Sequence, residues 1–256
     1  MFEVIIDATC DLEEKYKKQT RVVPLYIVDE EIGTKIPITT DYSVFYDDES
    51  LRERWYNGKL KTSQPSLEDF MKAIRESEYD DILIITISSK LSGTYNVAMN
   101  AKKKTKEKNI VVFDTLSASI GAGLYIERAL ELREKGYSIE EVVRELKKLD
   151  VRLHLVTDDI KYLLNSGRVS KLKYAFLRLT KLVPILTTKD GSLELLKLSK
   201  DPLNDLEKLE KELTDTIWAS TKGKQEMIKD GILGSPIVAV NAGPAFGLAG
   251  LAKGNI

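Results

Sequence analysis

A single cysteine, Cys10, and a single histidine, His154, occur in 256 residues. One thiol leaves no intramolecular disulfide and no thiolate cluster for a metal, and it suits a reducing compartment. One imidazole leaves little for histidine-based catalysis. His154 stands in the alternating run Val151-Arg152-Leu153-His154-Leu155, where a place in a sheet accounts for it. Gly-x-Ser-x-Gly, His-Glu-x-x-His and Asp-x-Asp patterns are all missing, so no hydrolase elbow, zinc site or calcium loop can be read. Excess positive charge is also lacking: 39 Lys and Arg against 40 Asp and Glu leave a net charge of -1, which argues against a nucleic-acid partner. The start, Met1-Phe2-Glu3, shows no basic leader, and no run approaches the ~20 apolar residues of a membrane span. The expectation is a soluble, cytoplasmic chain.

What is present is a globular composition, 43% hydrophobic and 31% charged, in a chain longer than one typical domain. Short β-rich runs alternate with helical patterns in the first half, as in βα units around a mainly parallel sheet. Val4-Ile5-Ile6 and Val22 to Val28 read as strands, with Ile32 to Ile38 a short excursion containing Pro37. Asp11-Leu12-Glu13-Glu14 and Ser66-Leu67-Glu68-Asp69 have helix-capping spacing, as does Ser138-Ile139-Glu140-Glu141. Thr40 or Asp41 is expected to cap a helix from Tyr42 to Asn57, stopped by Gly58. The unbroken apolar runs Ile82 to Ile87 and Ile110 to Phe113 predict central strands covered on both faces.

A boundary near residue 150 divides the chain into domains at 1–150 and 151–256. In the second, Val151 to Val156 and Leu182 to Thr188 read as strands and Lys161 to Ser166 as a short helix. Asp190-Gly191 between apolar runs predicts a hairpin, hence antiparallel pairing and an α+β character. A helix follows from Asp201 to Leu213, then candidate strands at Ile217-Trp218 and Ile237 to Val240.

Ligands of open parallel sheets bind at the carboxyl ends of strands, where loops and helix starts gather free N–H groups. Four such turns are rich in hydroxyls: Asp7-Ala8-Thr9, Thr62-Ser63-Gln64-Pro65-Ser66, Ser88 to Thr94 and Asp114 to Ser119. For any one turn, capping and turn formation explain the Ser and Thr residues; four together favour an anion site. A phosphate loop of the Gly-x-x-x-x-Gly-Lys or Gly-x-Gly-x-x-Gly kind is absent, and Gly121-Ala122-Gly123 reads as helix packing. A carboxylate needs only two or three donors, and Gly93 lets the backbone approach closely.

The segments Asp7-Ala8-Thr9, Val23-Pro24-Leu25-Tyr26, Lys61 to Ser66, Ser88 to Tyr95 and Gly167-Arg168-Val169-Ser170-Lys171, in that order, closely resemble the DegV family. The resemblance covers most of the chain. It implies an α/β fold, an N-terminal three-layer α/β/α domain with a parallel sheet followed by a C-terminal two-layer α+β domain with a mixed sheet. It also implies a long-chain fatty acid held between the two, with no other cofactor and no metal. Thr62 and Ser92 would bind its carboxylate, with Ser63, Ser89 and Gly93 nearby. In the family such a protein presents the acid to a separate ATP-dependent fatty acid kinase, itself being the non-catalytic carrier.

Where relatives carry His-x-Gly-Pro-Gly, with a histidine supporting the carboxylate, this chain reads Asn241-Ala242-Gly243-Pro244-Ala245. Asn241 can donate a hydrogen bond but cannot hold charge or move a proton. The usual Gly-Gly-Arg becomes Ser166-Gly167-Arg168. Two other readings stay open: a serine-dependent acyl hydrolase or transferase, and a lipid sensor without kinase coupling. For the carrier, ~0.8 kcal/mol per buried methylene gives an acyl tail of about fifteen carbons roughly 12 kcal/mol before ordering costs. The head group then selects acids. Ala118, Ala122, Leu124 and Ile126, and the stretch Tyr174 to Leu177, are candidates for lining the tail, with core packing the equal alternative.

Overall fold

The computed structural model describes residues 1–39, 48–156, 182–209 and 241–242. Along them the chain forms β1 (Glu3–Asp7), α1 (Glu14–Lys17), β2 (Arg21–Val23), β3 (Leu25–Asp29) and β4 (Thr34–Ile38). There follow α2 (Glu49–Tyr56), β5 (Leu60–Ser63), α3 (Leu67–Arg75), β6 (Asp81–Thr86), α4 (Thr94–Lys104) and β7 (Asn109–Asp114). After α5 (Ser119–Glu134) and α6 (Ile139–Leu146) come β8 (His154–Val156), β9 (Val183–Lys189), β10 (Ser192–Ser199), α7 (residues 202–209) and β11 (Asn241–Ala242).

The first sheet is wholly parallel, in the order β2-β1-β6-β7. Its side chains alternate between two apolar cores because successive residues of a strand face opposite ways. Val4, Ile6, Leu83 and Ile85 pack against Tyr125, Ile126, Ala129 and Leu130 of α5 and Ile139, Val142 and Leu146 of α6. Ile5, Ile82 and Ile84 pack against Phe70 and Ile74 of α3 and Ala98 and Ala101 of α4. Helices on both faces make the expected three layers. β6 is central, but β7 lies at the sheet edge, and its Val111 and Val112 are only half-buried. An unbroken apolar run therefore marked coverage by helices here, and said nothing about a neighbour on each side.

The expected strand from Val22 to Val28 is two strands in two sheets. Pro24 has no N–H to donate and breaks the ladder. Val23 pairs with Asp7 in the parallel sheet, whereas Leu25 pairs with Ile38 in a separate antiparallel sheet of order β4-β3-β5. Pro37 lies in β4, an edge strand of that sheet, where an absent donor is tolerated. Leu25, Ile27, Ile38 and Leu60 close over Trp55 of α2 and Ala8 of the β1 loop. Arg54 clamps the buried Asp29 carboxylate with two guanidinium nitrogens, tying α2 to β3.

Two capping boxes form as expected, at Ser66–Asp69 and Ser138–Glu141. The third does not: α1 is a single turn preceded by Glu13, and the Asp11 carboxylate instead accepts the Ser119 hydroxyl at 2.5 Å. α2 is capped by Asp48, whose carboxylate accepts from the Leu51 N–H at 3.0 Å; the expected caps Thr40 and Asp41 lie outside the described residues. Gly58 ends that helix with φ +70°.

The third sheet is mixed, in the order β10-β9-β8-β11, with β11 parallel to β8 and the other pairs antiparallel. Asp190 and Gly191 take φ of 49° and 82° and make the predicted two-residue hairpin. The expected strand from Val151 shortens to three residues, and the helix from Asp201 is described as far as residue 209. The expected helix at 161–166 and strands at 217–218 and 237–240 lie outside the described residues. Among those described, no helix is long and apolar enough to cross a membrane.

Candidate functional site

At the carboxyl ends of β1, β6 and β7 the buried residues turn polar within one step: Asp7, Thr86 and Ser88, then Thr115, Ser117 and Ser119. Most of these groups are committed to structure. The Asp7 carboxylate accepts the N–H groups of Thr9 (2.9 Å) and Ile87 (2.8 Å) and the Thr9 hydroxyl, holding the first strand ends together. Burial pushes its pKa up, against the pull of those bonds. Asp114 accepts the N–H groups of Ser89 and Leu116, both at 3.1 Å, and holds Leu116 at φ 49°. The Ser89 backbone is thus bound toward β7. Ser88 donates its hydroxyl to the Gly191 carbonyl at 2.7 Å, across to the hairpin turn of the mixed sheet.

That bond lies at one side of an apolar seam. Ile87, Leu91 and Ala118 meet Leu153, Leu155, Leu186 and Leu193 of the mixed sheet, with Leu195 and Leu198 packed on it. Of the proposed tail-lining residues, Ala118 is in this seam, but Ala122 and Ile126 belong to the core beneath the parallel sheet. Ala118 is the extended residue just before α5, and Ala122 and Ile126 follow at four-residue steps inside it, so the change of surroundings falls at the helix start, which the apolar run in the sequence could not show. Tyr174 to Leu177 lie outside the described residues.

The loop after β6 ends at the start of α4. Ser92 accepts the Thr94 N–H at 3.3 Å, and the two hydroxyls lie 2.8 Å apart. Gly93 is the N-cap of α4 and offers no side chain, and no acidic residue occupies the first turn. The N–H groups there favour an anion. The start of α3 differs, because Asp69 already neutralises it, accepting the Ser66 N–H (2.7 Å) and hydroxyl (2.6 Å). Asp69 also accepts the Tyr26 hydroxyl at 2.8 Å. Burial opposes the Asp69 charge, yet the bonds from Ser66 and Tyr26 outweigh it and hold the carboxyl below its ordinary value. Burial first, then Asp69, push Tyr26 up to about 12.

Thr62 and Ser63 were expected in a turn and instead lie on β5, in the antiparallel sheet. Directly opposed residues of such a pair share a face. Thr62 opposes Ile27 and so faces inward with Leu25 and Leu60, toward Ala8; Ser63 opposes Tyr26 on the other face. The two hydroxyls therefore do not act side by side. Beyond them, Gln64 presses the oxygen edge of its amide against Gly93: a Cβ added at Gly93 would stand 2.1 Å from Gln64 Oε1, 2.9 Å from Cδ and 3.0 Å from Nε2. This contact joins the end of β5, bearing Thr62, to the start of α4, bearing Ser92. Gln64 carried no role in the sequence reading; its place between an alternating run and a proline was the available signal.

Asn241 is placed by its backbone, which runs parallel to β8 opposite Leu155. Residues 243–245 and the Gly167-Arg168 motif lie outside the described residues. His154 opposes Thr187 on β8, and alternation turns it to the face away from the Leu155 seam. Burial, then Arg152, lower its pKa, so it is neutral at pH 7. Burial, then Asp7 and Asp11, hold the Cys10 thiol well above its usual range. Neither residue hydrogen-bonds Ser92, whose hydroxyl is engaged by Thr94. Among the described residues no cluster of His, Cys, Asp and Glu could hold a metal ion.

A helix-covered parallel sheet joined to a mixed sheet, with hydroxyls and an acid-free helix start at its carboxyl rim, defines an α/β protein whose polar rim lies where ligands of open parallel sheets bind. The chain belongs to the DegV family, described as one of uncharacterised proteins, whose model matches residues 1–229. It is 32% identical over 222 residues to a DegV domain-containing protein of Staphylococcus aureus, covering 84% of this chain and 77% of the relative. It is 35% identical over 202 residues to a protein of Thermotoga maritima named fatty acid-binding protein, covering 75% and 68%. Among solved structures, a Thermotoga maritima protein, described as revealing fatty acid binding function, is similar at 31% identity and TM-score 0.69, over 84% of this chain and 76% of that one. A DegV family protein of Thermus thermophilus, described by its fatty acid binding, is similar at 27% identity and TM-score 0.71, over 97% and 95%.

Proposed function

We propose that this chain binds a long-chain fatty acid, holding the carboxylate between Thr62 and Ser92 and burying the acyl tail between lobes formed by residues 1–150 and 151–256. The observation that carries this is the junction of the β5 end with the α4 start through Gln64 and Gly93. It draws an inward-facing hydroxyl strand to a helix start that lacks an acid of its own. The names of the Thermotoga and Thermus relatives supply the class of ligand. The apolar seam supports a site for the tail.

Lipid extracted from the purified chain is expected to contain long-chain acid near one per protein. Ser92→Ala and Thr62→Val should each weaken palmitate binding about ten- to a hundredfold, the worth of one hydrogen bond to a charged group. A lipid-free chain that takes up neither palmitate nor oleate would overturn the reading. Turnover of acyl esters abolished by Ser92→Ala would point instead to a hydrolase.

The cytoplasm is the proposed location. The proposed partner is a separate ATP-dependent fatty acid kinase, to which the bound carboxylate is presented. Asn241 is where this is tested. Acyl phosphate formation by the native chain with such a kinase, compared with Asn241→His, separates a carrier from a lipid sensor; a native chain that is inert while Asn241→His is active favours the sensor.

A further inference from the structure

The carboxamide of Gln64 lies on Gly93 with three atoms, Oε1, Cδ and Nε2, all within 3.0 Å of where a Cβ would stand. The oxygen comes nearest, with Cδ and Nε2 close behind, so the edge of the carboxamide is butted onto the glycine as onto a seat. Gly93 has φ -73° and ψ 0°, a conformation open to any residue. Glycine at this place is thus a matter of space: it lets the amide come down on the backbone.

The Gln64 main chain is held from both sides. Ser63 before it is paired to Tyr26, Pro65 after it is buried, and Ser66 is locked in the capping box with Asp69. What remains to be fixed is the gap between this strand end and the α4 start, and the seated amide spans that gap.

We infer that Gln64, seated on Gly93, is a positioning residue that sets the spacing between Thr62 and Ser92 and so makes the site selective for a carboxylate head group. The inference rests on the proposed fatty-acid reading. Two hydroxyls from different elements reach one carboxylate together only when their separation is held within about 0.5 Å. A head group with no charge gains little from that precision, so the selectivity is the signature.

The test uses the full chain as wild type, Gln64→Ala, Gly93→Ala and the double variant, titrated with palmitate and with hexadecanol, which has the same tail without the acid. Each single substitution should weaken palmitate binding about tenfold and leave hexadecanol binding unchanged. The double should be no weaker than the poorer single, because both changes remove the same seat. Losses that multiply in the double, or that fall equally on both ligands, would overturn the inference.

Melting temperatures should stay close to wild type, since the side chain that meets the new Cβ is the flexible one of an exposed residue and can swing away. Should the wild type bind no fatty acid, the ligand reading fails by itself, and the seat is judged on the free chain. There, hydrogen exchange at the Ser92, Gly93 and Thr94 amides should quicken to the same extent in Gln64→Ala and Gly93→Ala. Unchanged exchange would remove the seat as well.

Discussion

The interior of the parallel sheet and the rim at its carboxyl ends are built from the same strands by opposite means. In the interior, Val4 to Ile6 and Ile82 to Ile85 have no exposed surface, and their neighbours are aliphatic or aromatic. One residue further along each strand, Asp7 and Thr86 are equally buried, yet polar. Apolar burial is tolerant of direction and yields stability roughly with area. Buried polar groups demand partners at defined distances and angles, so they yield geometry. The interior keeps the sheet folded, and the rim decides where each loop stands.

This contrast breaks first if an interior residue proves dispensable. Ile84→Ala should cost about 2–5 kcal/mol in denaturant unfolding, the usual range for a deleted core side chain, while the folded fraction keeps its affinity for palmitate. A loss of affinity with unchanged stability would place Ile84 in the site and erase the division.

A rim residue should behave in the opposite way. Ser88→Ala removes the donor to the Gly191 carbonyl (2.7 Å) and the acceptor of the Lys90 N–H (3.1 Å). The expected cost is about 1–3 kcal/mol, for buried groups left unpaired. Its mark should be local, with faster hydrogen exchange at the 190–191 turn and faster palmitate release. If exchange rises evenly through the chain, the bond is only another part of the core.

The smallest effect is set by pH. Burial raises the Asp11 carboxyl from 3.8 to about 6, against the Ser119 bond and Lys17, and burial followed by Glu13 raises Glu127 from 4.5 to about 7. In both cases the folded chain holds a proton more tightly than the unfolded chain. The stability that these two groups contribute is therefore greatest below the ordinary carboxylate range and is lost as the pH rises through 4 to 7. Asp11→Asn should remove the part of this slope below about pH 6 and raise stability above it by on the order of 1 kcal/mol, provided the amide keeps the Ser119 contact. Unfolding followed at pH 4.5, 5.5 and 7 checks this; an unaltered slope would place the titration elsewhere.

Local chemistry made much of the fold legible. The Ser66 and Ser138 capping boxes and the Asp190-Gly191 hairpin each lie within a few residues and formed as read. What misled was pairing over distance. Pro24 in the middle of a β-rich run was a visible break, but which sheet each half would join depends on Asp7 and Ile38, far away in sequence. The same ignorance put Thr62 in a turn and β7 at the centre of its sheet. Asp11 had the spacing of a cap, yet a hydroxyl 108 residues later claimed its carboxylate. Of the candidate site, the placing of Ser92 and Gly93 at a helix start was legible because helix starts are local features. Gln64 was overlooked because its partner is Gly93, in another loop.

Pro24 has a mechanical consequence. Val23 belongs to the parallel sheet and Leu25 to the antiparallel one, so a single residue whose ring fixes φ is all the chain between them. A coupling that short leaves little slack for a hinge. Thr62 rides on one of the two sheets so joined and Ser92 on a loop of the other, and Gln64 on Gly93 closes the gap that the joint leaves between them. On the opposite side the parallel sheet is tied to the mixed one by the Ser88 hydroxyl on the Gly191 carbonyl and by the apolar seam beside it, a joint of side chains where the Pro24 joint is one of backbone.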